Sequence, residues 1–194
     1  MSISTRKGDK GFTSIYTGER ISKDHIICEI CGTGDEFICH LGELKHSTPQ
    51  YYSVIENVQR KIFKINSFFA SIGEKRKTFI ITDEEIKDIN KILDEYESQC
   101  GELKGFMVPS ENVLAAKADI CRTICRRYER RIITYSINIK EVPDNILQYI
   151  NRLSDVLYLI ARLLGKDKES TINIKNYHNG SGIWKTSLLV SIVL

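Results

Sequence analysis

The chain has 194 residues, of which 42% are hydrophobic and 27% charged, and its net charge is +3. That length suits one domain with a substantial core rather than two, and the composition is that of an ordinary globular protein. So small a positive excess argues for neither nucleic acid nor membrane as a partner; the N-terminus is too polar for a signal peptide, and the longest apolar run, 188–194, is far too short for a membrane span.

Residues 5–23 read TRKGDKGFTSIYTGERISK, a stretch that predicts a phosphate-holding arm. Gly8, Gly11 and Gly18 permit tight turns that bring bare N–H groups close to an anion. Thr5, Thr13, Ser14 and Thr17 add hydroxyl donors. Arg6, Lys7, Lys10, Arg20 and Lys23 add charge. The stretch matches neither the Walker loop nor the dinucleotide glycine fingerprint, and an ordinary polar arm is the plainer reading of its composition.

Five amphipathic helices are expected after the arm. The first covers about 24–45, with Ile27, Ile30, Cys31, Phe37, Ile38, Leu41 and Leu44 recurring on one side. It carries Cys28-x-x-Cys31 and then Cys39-His40, which imitates a zinc site; no second such pair follows, so thiols buried on helices are expected instead. The second helix has the clearest seam, with Ile55, Val58, Ile62, Ile65, Phe69 and Ile72 spaced by three and four. The third opens on the capping box Thr82-Asp83-Glu84-Glu85 and turns Ile86, Ile89, Leu93 and Tyr96 inward. The apolar stretch 78–81 before it is too isolated to build a sheet. The fourth spans about 110–136, and the fifth runs from Pro143 to Leu164. The fold class expected is therefore all-α, a five-helix up-and-down bundle. Residues 1–23 form an arm, 24–164 the bundle, and 165–194 a polar, then apolar, tail of unknown role.

The fourth helix carries the second strong signal, CRTICRRYERR at 121–131. Leu114, Cys121, Cys125, Tyr128 and Ile132 fall on one apolar face, and Arg122, Arg126 and Arg130 on a neighbouring stripe with Glu129 among them. Arg127 and Arg131 point further round toward solvent. Stacked guanidiniums repel unless something acidic covers them, and Glu129, Asp35 or Asp155 are candidates to offset them. A solvated basic face is the plain reading, and the aromatics are not interleaved as nucleic-acid binding needs. The sharper reading has Arg126 and Arg130 gripping phosphate, completed by the arm.

In four blocks the chain resembles the ATP:cob(I)alamin adenosyltransferases of the propanediol-utilisation type, the group that includes the mitochondrial enzyme of animals. These are residues 5–23, CGTGDEF at 31–37, FMVP at 106–109 with the arginine-rich helix, and NRLSDVLYLIAR at 151–162. The resemblance implies a homotrimer with active sites between subunits. It implies transfer of the 5′-deoxyadenosyl group of ATP to cob(I)alamin, with Mg²⁺ on the triphosphate. Thr5, Arg6, Lys7, Gly8, Thr13, Ser14, Lys23, Arg126, Glu129, Arg130 and Asn151 would bind the nucleotide. Arg126, Asp35 and Phe106 would serve the reaction, Asp35 by pairing with Arg126 across the subunit boundary and Phe106 as the wall below the corrin. A cobalamin reductase and an adenosylcobalamin-dependent enzyme are the implied partners, with neither nucleic acid nor membrane. The compartment implied is the mitochondrial matrix for a eukaryotic chain and the cytoplasm for a bacterial one. The chain departs from the family pattern at Gly34, Ile38, Cys39, Ser110, Glu111 and Asp119, more toward the corrinoid side than the phosphate side. Those departures keep open a second reading, a non-catalytic protein that binds and delivers nucleotide or adenosylcobalamin.

Overall fold

The computed structural model describes Arg6 and residues 8–101, 106–107, 109–165 and 171–172. Five long helices make the body: α1 Ile26–Ser47, α2 Tyr52–Phe69, α3 Asp83–Cys100, α4 Val113–Asn138 and α5 Asp144–Gly165. Each starts where its sequence supplies a cap or a turn. His25 accepts the Ile27 N–H at 3.2 Å through Nδ1. Thr82 and Glu85 close the reciprocal capping box of α3. Asn112 takes the Leu114 and Ala115 N–H groups at 3.0 and 2.9 Å.

Spatial order differs from chain order. α1 packs on α2 and α4, α4 on α5, and α5 on α3. α3 returns to α2 through Lys61 and Lys64, which both donate to Glu85 at 2.6–2.9 Å. The core between them contains Phe37, Leu41, Ile62, Ile65, Phe69, Tyr128, Ile132 and Leu153, all buried. The α2 seam holds for Ile55 through Phe69 but not for Ile72, which is 49% exposed because the helix ends three residues earlier. On α4, Ala115 and Ala118 join the expected apolar face, while Leu114 is only half-buried.

Strands are where the structure adds to the all-α expectation. The arm folds into an antiparallel ribbon, β1 Phe12–Ser14 with β2 Arg20–Ser22, in the register Phe12↔Ser22 and Ser14↔Arg20. Gly11 and Gly18 bound it at φ 79° and 100°, the left-handed region that favours glycine. A second ribbon pairs β3 Phe106–Met107 with β4 Thr171–Ile172, joining the tail to the loop before α4. The stretch at 78–81 builds no sheet: a 3₁₀ turn covers Gly73–Phe79, and Ile81 drops into the core. Arg76 pins that turn, its guanidinium 3.9 Å from the Phe68 ring centroid.

Candidate functional site

Two surfaces and one cavity gather the residues singled out by sequence. The first surface is the ribbon. Lys23 N–H donates to Gly11 O at 2.9 Å, and Gly11 N–H to Gly8 O at 3.2 Å, which closes the Gly8–Gly11 turn against β2. The Lys23 chain lies directly on Gly8, where an added Cβ would meet Nζ at 3.1 Å. Gly8 and Lys23 are thus brought together, with Arg6 just ahead at φ 53°. Thr13 and Ser14 are adjacent in β1, so their side chains leave opposite faces of the ribbon and only one hydroxyl can face a given ligand side. Thr5 and Lys7 lie outside the described residues.

The second surface lies along α4 and α5. Asn151 Nδ2 donates to Glu129 Oε1 at 3.3 Å, and Arg152 donates to Asn151 Oδ1 at 3.2 Å. Burial raises the Asp155 carboxyl, and Arg152 and Arg126 partly counter that rise, which places Asp155 in the same group. The expected stripe of three arginines does not survive intact. Arg122 turns inward, is 7% exposed, and donates to Asp119 at 3.1 Å, with Arg162 on the other Asp119 oxygen at 2.8 Å. Arg127 pairs with Glu36, and Arg131 with Glu29 at 3.5 Å, both across on α1. Among the described residues this leaves Arg126 and Arg130 with no carboxylate at ion-pair distance, beside a neutral amide and Glu129.

The cavity, about 460 Å³, opens between α1, α2 and the Gly73–Phe79 turn. Tyr16, Phe63 and Phe79 form apolar walls, with Cys31, Asp35 and Asn66 at its polar side. The ribbon reaches it because Tyr16 N–H donates to Ala70 O at 2.9 Å, and the Tyr16 ring meets Phe79 edge-on at 6.5 Å. Asp35 is exposed, and its Oδ1 accepts from buried Asn66 at 3.1 Å. Burial pushes the Cys31 thiol up to about 12, so it remains protonated. Phe106 is placed by its backbone, in β3.

All six cysteines are free thiols; Cys121 and Cys125 are buried as expected of helix-borne thiols, whereas Cys39 is exposed. Among the described residues no three His, Cys, Asp or Glu side chains gather as a metal site. Sequence reasoning missed Asn66, Phe63 and Tyr16. The available signal for Asn66 was an amide inside the apolar seam of α2, one residue after Ile65.

Fold and surfaces together define a helical bundle with two polar, anion-suited faces and an apolar cavity between helices. Over residues 3–164 the chain matches the cobalamin adenosyltransferase family and belongs to it. It is 36% identical to a corrinoid adenosyltransferase of Citrobacter freundii over 165 residues, 83% of this chain and 93% of that one. It is 31% identical to the corrinoid adenosyltransferase of Homo sapiens over 189 residues, 90% of this chain and 74% of the relative. A longer C. freundii relative is also 36% identical, and there the chain spans about half of its length, 49%. Among solved structures it resembles a variant PduO-type ATP:corrinoid adenosyltransferase from Lactobacillus reuteri, complexed with cobalamin and ATP. That match has a TM-score of 0.81 at 24% identity and covers 89% of this chain and 99% of the other, which establishes the shared fold. No helix among the described residues is long and apolar enough to cross a membrane.

Proposed function

We propose that this chain transfers the 5′-deoxyadenosyl group of ATP to cob(I)alamin, giving adenosylcobalamin and triphosphate. The observation that carries the reading is the α4–α5 surface, where Arg126 and Arg130, on the helix that supplies Glu129 to the Glu129–Asn151 pair, have no carboxylate at ion-pair distance among the described residues. The cobalt(I) electron pair attacks C5′, the C5′–O bond breaks, and triphosphate leaves with that bonding pair as cobalt becomes formally cobalt(III). The nucleophile belongs to the corrinoid, so no activated Ser, Cys or Lys is required. The protein's task is to hold two substrates in line and to neutralise the departing charge. Arg6, Lys7, Gly8, Lys23 and the hydroxyls of Thr5, Thr13 and Ser14 serve the phosphates from the ribbon side; Arg126, Glu129, Arg130 and Asn151 serve the nucleotide from the helix side. Apart from the Glu129 carboxylate these groups are hydroxyls, amides and cations, which suit phosphate oxygens better than a divalent cation, so magnesium would arrive as Mg-ATP.

The ribbon docks at the end of α2, whereas the arginine surface lies on α4 and α5. We infer that a site using both draws them from two subunits, as a homotrimer with sites between neighbours would allow. Supporting it, α4 leaves Val113, Ile120, Ile133 and Ile137 exposed on the helix that carries Arg130. In this assembly Asp35 pairs with Arg126 of the adjoining subunit, the cavity beside Asp35 takes an edge of the corrin, and Phe106 walls off its lower face. A cobalamin reductase and an adenosylcobalamin-dependent enzyme complete the scheme, in whichever compartment holds them.

The test is anaerobic incubation with cob(I)alamin, ATP and Mg²⁺. Adenosylcobalamin should accumulate, and Arg126→Ala should lower the rate by roughly a hundredfold or more, the scale of losing a charge stabiliser from a transition state. Tight binding of preformed adenosylcobalamin without turnover would instead favour the delivery reading.

A further inference from the structure

On the cavity's polar side, Asn66 is 7% exposed and both ends of its amide are hydrogen-bonded. Nδ2 donates to Cys31 O at 3.2 Å and to Asp35 Oδ1 at 3.1 Å, and Oδ1 accepts from Tyr128 OH at 2.7 Å. Two acceptors, a carbonyl and a carboxylate, face one end of the amide, so that end must be the NH₂ group. The Tyr128 hydroxyl must then donate to the other end. Tyr128 is wholly buried and burial drives its hydroxyl well above the usual range, which keeps it a donor. Space for the amide comes from Gly34: a Cβ there would stand 2.2 Å from Asn66 Oδ1. A side chain on residue 34 therefore cannot coexist with this arrangement. Three residues on three helices, Gly34, Asn66 and Tyr128, converge on one carboxylate.

We infer that Asn66 is a positioning residue, held by Tyr128 in the space left by Gly34, which ties one oxygen of Asp35 and leaves the other turned to the cavity's ligand. The ligand named for that cavity, the corrinoid, rests on the function proposed above. Tyr128→Phe removes the donor while keeping the ring that fills the core, so it tests the arrangement without opening a cavity.

Affinities for cob(II)alamin and for ATP are measured separately on the full chain, with Asp35→Asn as cycle partner. Tyr128→Phe should weaken corrinoid binding about tenfold, the scale of one lost buried hydrogen bond to a polar network, and weaken ATP binding clearly less, because the nucleotide meets Asp35 only through Arg126 of the adjoining subunit. In the Asp35→Asn background it should add nothing further. Equal weakening of both ligands, or losses from Tyr128→Phe and Asp35→Asn that multiply, would overturn the inference. The nitrogen-15 resonance of Asn66 Nδ2 is read in the same samples without ligand. It should shift in both variants, and a signal unmoved by either also overturns the inference. A chain that shows these shifts yet binds no corrinoid would sink the proposed function while leaving Asn66 as the group that positions Asp35.

Discussion

Glycine in the middle of a helix costs about 1 kcal/mol against alanine, and Gly34 read from sequence is such a defect. The structure reverses its meaning. Its Cα faces the Asn66 amide so closely that a Cβ would overlap it at 2.2 Å, and overpacking of this kind costs roughly 1–3 kcal/mol. Added to the loss of hydrogen bonds to a buried amide, it outweighs the propensity gain. Gly34→Ala should therefore lower stability by about 1–2 kcal/mol in denaturant unfolding, where helix propensity alone forecasts a gain. Asp119 is a second residue whose role changes. It accepts from Arg122, Arg162 and the Ser110 N–H at 3.0 Å, while Ser110 sits at φ 73°. The carboxylate thus anchors a left-handed turn just after Pro109. Asp119→Ala takes the carboxylate away from two buried guanidiniums and should cost about 3–5 kcal/mol, seen as a lower denaturant midpoint at unchanged slope. Neither role was legible beforehand. A four-residue spacing puts Arg122 on the Arg126 stripe, and only the Asp119–Arg162 pairing across α4 and α5 reveals that it turns inward.

Helices were legible because their signals are local: an apolar period marks each of them, and a cap or a nearby proline brackets where most of them begin. The capping box of α3 also does work that no local pattern announces. Burial alone pushes the Glu85 carboxyl upward, but hydrogen bonds from Lys61, Lys64 and the Thr82 N–H outweigh it and hold it at about 2, against an ordinary 4.5. Because the folded value is depressed, the stabilisation is complete above the unfolded pKa and disappears as pH falls from about 4.5 toward 2. Glu85→Gln should cost on the order of 2 kcal/mol at neutral pH, and wild type and variant should converge in stability near pH 2. An equal gap at both ends of that range would show that Glu85 acts only as a cap. Strands were missed for the converse reason. β3 and β4 are each two residues long and separated by all of α4 and α5, so no periodicity can mark them. The arm was read as glycine turns that hold phosphate and not as a ribbon, although Phe12-Thr13-Ser14 and Arg20-Ile21-Ser22 flank a turn at Gly18.

For the molecule as a whole, the decisive matter is whether the two polar faces serve one site within a chain or between chains. The ribbon touches α2 and the following turn, through Tyr16 to Ala70 and Phe79, and the start of α1, where the Cys28 thiol donates to Ser22 O at 3.6 Å, while Glu129 and Asn151 share the α4–α5 surface with Arg126. If each site takes its ribbon from one subunit and its arginines from the next, the contact is head-to-tail, and a ring of such contacts closes on itself. Lys23→Ala and Arg126→Ala would each disable every site in its own homotrimer. Refolded together in equal amounts, they form mixed rings in which an intact ribbon can meet an intact helix. Random assortment gives each site a one-half chance of an unmutated ribbon and an independent one-half chance of an unmutated helix, so roughly a quarter of wild-type activity should return. Sites built within single chains return none, because every chain then carries one defect. Activity assays after mixing, with size measured on the same samples by light scattering, separate the two arrangements without any structure of the complex.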